Sequence, residues 1–170
     1  DDDSAPPVAR EMLAASRPAG VGPMAAVAGA IAEAVGRELL KHVPEVLIEN
    51  GGDLFLDSER PVLAEVFAGS SAFSGKLAYE VQAGGGCGLC TSSGTVGHSL
   101  SFGKADAATV LAVTAAAADA FATAVGNMVR TREDIPAALE YAGRQPGIKG
   151  CAVIVGDAIG VRGEIKVVKL

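Results

Sequence analysis

The alternation of apolar and polar residues along the chain predicts helices interleaved with short strands. Apolar residues recur at helical spacing from Met24 onward, which predicts an amphipathic helix over 24–41. Shorter helices are expected over 9–16 and 136–142, and a long helix over 104–129. The pattern therefore predicts four helices.

Strands are predicted between these helices. The expected strands cover 46–48, 53–56, 61–67, 76–82, 151–155 and 161–168. Asn50-Gly51-Gly52 predicts a tight turn between the first two strands, and 84–97 is expected to be a glycine-rich loop. The pattern indicates an α+β fold with a mixed or antiparallel sheet packed with helices. We expect one domain over 1–170, with 1–20 as an incomplete N-terminal segment.

Composition narrows the classes of partner. The net charge of −6 and the pI near 4.9 argue against nucleic acid, which needs clustered Lys and Arg. Charged residues interrupt every apolar stretch before the roughly 18 residues of a membrane span, so we expect no membrane association. Three cysteines do not make a disulfide framework in a chain of 170 residues, which favours a cytoplasmic protein. A homo-oligomer is compatible with this composition.

Asp119 and Thr123 are the strongest candidates for a metal site. They lie one turn apart on one face of a predicted helix, so a carboxylate and a hydroxyl converge there. Two hard oxygen ligands suit Mg²⁺ better than Zn²⁺. The alternative is a polar stripe in which Thr123 hydrogen-bonds to the carbonyl one turn earlier.

Two glycine-rich segments are candidates for ligand binding. Gly51 and Gly52 permit positive φ and let the backbone approach a ligand, although this fragment alone favours an ordinary hairpin turn. The loop that includes Thr91, Ser92 and Ser93 offers backbone amides and hydroxyls that could cradle an anion.

Cys87 and Cys90 form a CxxC pair in the same loop. A zinc site would need two further ligands, and the chain has neither a second CxxC nor an HxxxH motif. A redox-active or sulfur-carrying pair is the more plausible chemistry, since this spacing lowers a thiol pKa. Two small residues in a glycine-rich loop remain the structural alternative.

The ordered motifs resemble the ApbE-like superfamily. Asn50-Gly51-Gly52-Asp53 resembles its GGD segment, and Thr91-Ser92-Ser93-Gly94 is similar to its threonine-serine-glycine loop. His98 falls where that superfamily has a histidine, and Ala118-Asp119-Ala120-Phe121-Ala122-Thr123-Ala124 resembles its A-D-A-x-A-T-A helix. Val21-Gly22-Pro23-Met24 and Gly147-Ile148-Lys149-Gly150 look like a small branch of the superfamily. The resemblance runs from about residue 20 onward.

The resemblance implies a Mg²⁺-dependent transferase that moves FMN from FAD to a threonine of a protein acceptor. It implies Asp119 and Thr123 as metal ligands, with the main-chain carbonyl of Ala25 as a third, and His98 near the transfer. The residues implied to bind FAD or a related nucleotide are Asn50, Gly51, Gly52, Asp53, Thr91, Ser92, Ser93, Gly94 and Thr95. The D-P-x-T-G residues that follow the histidine in the superfamily are absent after His98.

Three functions remain open from the sequence. The first is Mg²⁺-dependent binding of a flavin or nucleotide, with or without transfer to a protein acceptor. The second is a thiol protein of sulfur assimilation that carries a persulfide on Cys87 or Cys90 and works with a sulfur-pathway partner. The third is a relative that binds the ligand without catalysis.

Overall fold

The computed structural model describes residues 4–96 and 101–170. Within them, the α-helices are α1 (Pro7–Ala19), α2 (Val27–Leu39), α3 (Ala115–Met128) and α4 (Ile135–Gly143). The strands are β1 (Val46–Asn50), β2 (Asp53–Asp57), β3 (Val62–Glu65), β4 (Leu77–Val81), β5 (Cys87–Ser92), β6 (Ala107–Ala112), β7 (Ile148–Val155), β8 (Ala158–Gly163) and β9 (Lys166–Lys169). Short 3₁₀ turns at Pro23–Ala26 and Arg132–Asp134 precede α2 and α4.

The strands form two sheets. A six-stranded sheet has the order β1-β2-β5-β6-β7-β8, and a three-stranded sheet has the order β3-β4-β9. Every strand pairing among the described residues is antiparallel. This confirms the α+β class and selects the antiparallel sheet over the mixed one.

Both faces of the six-stranded sheet are buried. One face packs against the helices, through residues such as Phe55, Cys90 and Val110. The other face packs against the small sheet, through residues such as Leu56 and Leu89. Because both faces are covered, β5 and β6 lack the polar alternation of a half-exposed strand.

α3 lies very close to the large sheet because the facing residues are small. A side chain at Gly88 of β5 would place its Cβ 2.6 Å from the backbone nitrogen of Ala115. Thr114 begins the helix, and its hydroxyl accepts a hydrogen bond from the amide of Ala117 at 3.2 Å. The contact between Gly88 and Ala115 therefore sets the short distance between α3 and the large sheet.

The predicted helix over 104–129 is wrong in its first half. Residues 107–112 form β6, and the helix begins only at Ala115, after Thr114 adopts an extended conformation. The alanines of this segment favour a helix and Thr109 and Val110 favour a strand, and pairing with β5 and β7 decides between them.

Two further predictions need correction. The expected loop over 84–97 contains β5, which pairs with both β2 and β6. The expected strand over 161–168 is two strands, because the chain turns at Gly163 (φ 82°) and β9 pairs with β4 in the other sheet. The helix predicted over 24–41 begins as a 3₁₀ turn, and the remaining predicted helices and strands are confirmed with small shifts of their ends.

None of the helices in the described part of the chain combines the length and the hydrophobicity of a membrane span. α1 and the segment Pro23–Leu39 pass that test only together, as a pair bent by 105°.

Candidate functional site

Two buried carboxylates meet on the helix-covered face of the large sheet. Asp53 opens β2, and its Oδ1 accepts a hydrogen bond from the amide of Thr91 at 3.3 Å. Asp119 projects from α3, and its Oδ2 accepts a hydrogen bond from the amide of Gly29 at 3.0 Å, in the first turn of α2. Sheet, α2 and α3 therefore each contribute to one site.

Burial makes this pair electrostatically unfavourable when both groups are charged. It raises the pKa of Asp53 to about 7, and the nearby charge of Asp119 contributes to that rise. Burial also raises the pKa of Asp119 to about 6, against the opposing effect of the Gly29 and Ala28 amides. No ion pair among the described residues includes either carboxylate. A cation bound between them would relieve their repulsion.

The surroundings of Asp119 fit a hard cation. Thr123 is half-buried one turn further along α3, on the same helical face. Ala25 is half-buried in the 3₁₀ turn that packs on α3. Within residues 4–96 and 101–170, no group of three or more His, Cys, Asp or Glu residues could hold a metal. Carboxylate, hydroxyl and main-chain oxygens are donors for Mg²⁺ rather than for zinc.

The turn at 50–52 joins this site to the neighbouring cavity. Gly51 and Gly52 both have positive φ, at 67° and 98°, which a tight hairpin turn requires. Asn50 donates a hydrogen bond from Nδ2 to the carbonyl of Ala28 at 3.2 Å, so the turn is tied to the start of α2. The predicted turn is confirmed, and its asparagine has a structural partner.

A cavity of about 640 Å³ lies between the two sheets, next to this turn. This volume is in the range of small-molecule sites. Five residues of the nucleotide-binding set implied by the resemblance line it: Gly51, Gly52, Thr91, Ser92 and Ser93. Asp53, Asp119 and Thr123 are not among its lining residues. Asp53 lies on the same face of β2 as Phe55, which packs against the helices, and Asp119 and Thr123 belong to α3. The carboxylate pair and the cavity are therefore two regions on opposite faces of β2 and β5.

Residues 93–95 take part in local structure. The hydroxyl of Ser93 accepts hydrogen bonds from the amides of Thr95 and Val96, at 3.2 and 2.9 Å. The Thr95 hydroxyl donates a hydrogen bond to Asp106 at 2.8 Å, and the amide of Gly94 donates one to the carbonyl of Ala105. Gly94 and Thr95 do not line the cavity. His98 lies outside the described residues.

The cysteines differ from the predicted CxxC pair in a loop. Cys87 and Cys90 are both fully buried in β5, three positions apart in a strand, so their side chains point to opposite faces. Cys87 packs between the sheets and Cys90 packs beneath the helices. Burial raises the pKa of both thiols, and it raises that of Cys151 to about 12. The prediction of a CxxC pair with a lowered thiol pKa in a glycine-rich loop is wrong, because sheet pairing places both residues in a buried strand.

Thiol labelling at pH 7 should therefore leave the native protein almost unmodified. The three cysteines are at most 1% exposed, and the thiolate is the reactive form. Absorbance of released thionitrobenzoate should rise to three equivalents per chain only after unfolding in guanidinium. Rapid modification of Cys87 or Cys90 in the native state would contradict this expectation.

The structure also shows residues that the sequence did not single out. Glu33 is buried in α2. Its Oε2 accepts a hydrogen bond from the amide of Ala115 at 2.7 Å, and its Oε1 accepts one from Nε of Arg37 at 2.8 Å. Tyr79 and Thr109 line the cavity. For Glu33 and Arg37, the available signal in the sequence was a Glu followed one turn later by an Arg in a predicted helix. Thr109 was not identified because the sequence analysis placed it in a helix rather than in β6.

Fold and site together define an α+β protein with a carboxylate site under its helices and a cavity between its sheets. The chain belongs to the AbpE bacteria family, whose model matches residues 1–157. The match includes the first twenty residues, which the motif resemblance left out. The placement in the ApbE-like superfamily is thereby confirmed.

The curated relatives carry the name UPF0280. UPF0280 protein MJ1526 of Methanocaldococcus jannaschii is 43% identical over 96% of this chain and 69% of its own length. A UPF0280 protein of Methanothermobacter thermautotrophicus is 44% identical over 94% of this chain and 64% of its own. The chain thus spans about two thirds of the length of these relatives.

Among solved structures, the chain is similar to the flavin transferase ApbE from Vibrio cholerae. The TM-score is 0.56 with 16% sequence identity, over 85% of this chain and 50% of that one. This similarity shows that the two share a fold.

Proposed function

We propose that this protein binds a flavin or related nucleotide together with Mg²⁺. Asp119, Thr123 and the main-chain carbonyl of Ala25 would hold the metal. The observation that carries the proposal is the Asp53–Asp119 pair, two buried carboxylates with no cationic partner among the described residues. Binding a divalent cation converts their repulsion into attraction.

A metal is needed here for a second reason. The chain carries a net charge of −6, and phosphate groups near Asp53 and Asp119 would be repelled by both carboxylates. A bound Mg²⁺ would neutralise phosphate charge at this place. The chain itself holds Asp119 in position through the amide of Gly29, so the carboxylate is oriented before any ligand arrives.

The turn between β1 and β2 supports the nucleotide part of the proposal. Gly52 is followed directly by Asp53 of the carboxylate pair, and both Gly51 and Gly52 line the cavity. With no Cβ, these residues leave room for a ligand to lie against the backbone. A single ligand could therefore reach both the cavity and the metal side.

Transfer of FMN to a protein hydroxyl is the further step of the proposal. It is suggested by the resemblance and by the structural similarity to the flavin transferase ApbE from Vibrio cholerae. Release of AMP from FAD in the presence of Mg²⁺ and an acceptor protein would support transfer. Tight Mg²⁺-dependent binding without AMP release would identify a non-catalytic binding relative.

The direct test is FAD affinity with Mg²⁺ and with EDTA. Quenching of flavin fluorescence should show binding about tenfold or more tighter with Mg²⁺, because metal-bridged phosphates no longer face bare carboxylates. Riboflavin, which lacks phosphate, is the control and should bind equally in both conditions. Equal FAD affinity in both conditions would contradict the metal site.

A further inference from the structure

The outer face of α2 carries a row of apolar side chains that stay partly exposed. Ile31, Val35, Leu39 and Val43 follow one another at four-residue intervals, and each is 43–45% exposed. α2 ends at Leu39, but the amide of Val43 still donates a hydrogen bond to the carbonyl of Leu39 at 3.1 Å, so the helical row continues for one more turn. Residues at this spacing form a single ridge along a helix, here called the α2 ridge.

The inner face of α2 is buried against the rest of the fold. Gly29 lies against Ala115 of α3, and Gly36 lies against the ring of Phe55 in β2. α2 is therefore apolar on its inner face and on its outer face. A helix that is apolar all round is normally buried on every side, so the α2 ridge indicates contact with a further surface.

The segment that carries the ridge is electrically neutral, unlike the whole chain. The charged residues of 27–43 pair within the segment, Glu33 with Arg37 and Glu38 with Lys41. The chain has a net charge of −6, so a second copy meets least repulsion across this neutral face. An anionic lipid surface would need an excess of basic residues, which this segment does not have.

A second copy of the chain also supplies a surface of the right shape. Ridges of residues four apart interdigitate when two helices cross at about −50°. A two-fold axis makes the two ridges run in opposite directions, so Val35 of each copy lies against Leu39 of the other. Ile31 of each copy then lies towards Val43 of the other. All four side chains of the ridge are covered in this arrangement.

The size of the ridge sets the strength of such a contact. Its four side chains leave roughly 300 Å² of apolar surface uncovered, which is the size of patch that marks interaction sites. With the polar side chains around it, a dimer would bury about 1,000 Å² in total, at the lower limit of specific interfaces. The association should therefore be reversible at micromolar concentration.

We propose that this protein forms a two-fold symmetric dimer through the α2 ridge. The interface lies on the outer face of the helix, whereas Gly29, whose amide holds Asp119, lies on the inner face. Each copy therefore keeps its own carboxylate pair inside its own fold.

Sedimentation velocity over about 1–200 μM chain measures the association. The mass should rise from 16.9 kDa toward twice that value, with a midpoint at about 10 μM. A native chain that stays monomeric over this range overturns the proposal. Co-sedimentation of a monomeric chain with phosphatidylcholine vesicles would overturn it too, and would assign the ridge to a lipid surface.

Two single substitutions test the two-fold pairing itself. Val35→Glu and Leu39→Lys each place a charge in the ridge, and each should weaken the dimer about 100-fold. An equal mixture of the two variants should dimerise again, because the new carboxylate of one chain meets the new amine of the other. Circular dichroism should show native helix content for both, since both positions are on the surface.

Leu63→Glu is the matched control, since Leu63 is an exposed leucine of β3 in the other sheet, and it should dimerise like the native chain. A Val35→Glu variant that dimerises as tightly as the native chain would overturn the α2 ridge as the interface. A mixture that associates no better than either variant alone would overturn the two-fold pairing of Val35 with Leu39.

Discussion

Asp119→Asn should abolish the increase in FAD affinity that Mg²⁺ provides, a loss of about 10- to 100-fold at saturating metal. The amide removes the charged ligand of the proposed metal site but keeps an oxygen that can accept the hydrogen bond from Gly29. The folded protein should remain at least as stable, since a buried charge beside Asp53 is lost. Fluorescence titration of FAD with Mg²⁺ and with EDTA measures the effect.

Asp157→Asn is the matched control for this substitution. Asp157 pairs with Arg132 on the surface, so its replacement changes the net charge equally and leaves the buried site intact. This variant should keep the full Mg²⁺ effect. If Asp119→Asn keeps it as well, Asp119 is not a metal ligand.

Gly29→Ala should lower the free energy of unfolding by about 3 kcal/mol and disturb the metal site together with the fold. A Cβ at this position would lie 2.7 Å from the carbonyl carbon of Ala115 and 2.9 Å from Cβ of Asp119. Helix propensity alone gives the opposite sign, since Ala is about 1 kcal/mol more favourable than Gly inside a helix. Steric overlap with the α3 backbone should outweigh that gain. Urea denaturation gives the size and sign of the change.

Gly22→Ala serves as the comparison. Gly22 has an ordinary extended backbone (φ −71°), and a Cβ there would meet nothing within 4 Å. Its stability should stay within about 0.5 kcal/mol of the native protein. If Gly29→Ala is more stable than the native protein, α2 and α3 can separate without cost, and the close contact of Gly29 with Ala115 does not constrain them.

The candidate site was only partly predictable from sequence. Asp119 and Thr123 on one helical face, and the turn at Gly51 and Gly52, follow from spacing and turn chemistry, which act over a few residues. The meeting of Asp53 with Asp119 does not follow from them, because it depends on how β2, α2 and α3 pack. The metal ligation and nucleotide contacts that the resemblance implies stay predictions.

The sequence by itself determined the α+β class, the helix that follows Met24 and the hairpin of β1 and β2. Its ordered motifs also indicated that the chain belongs to the ApbE-like superfamily. Tertiary structure decided which face each residue occupies. Cys87 and Cys90 are buried on opposite faces because β5 lies in the middle of a sheet covered on both sides. Residues 107–112 form a strand because pairing with β5 and β7 outweighs the local helical preference of their alanines. Local patterns fix turns and helical periodicity, whereas burial depends on contacts between residues far apart in the chain.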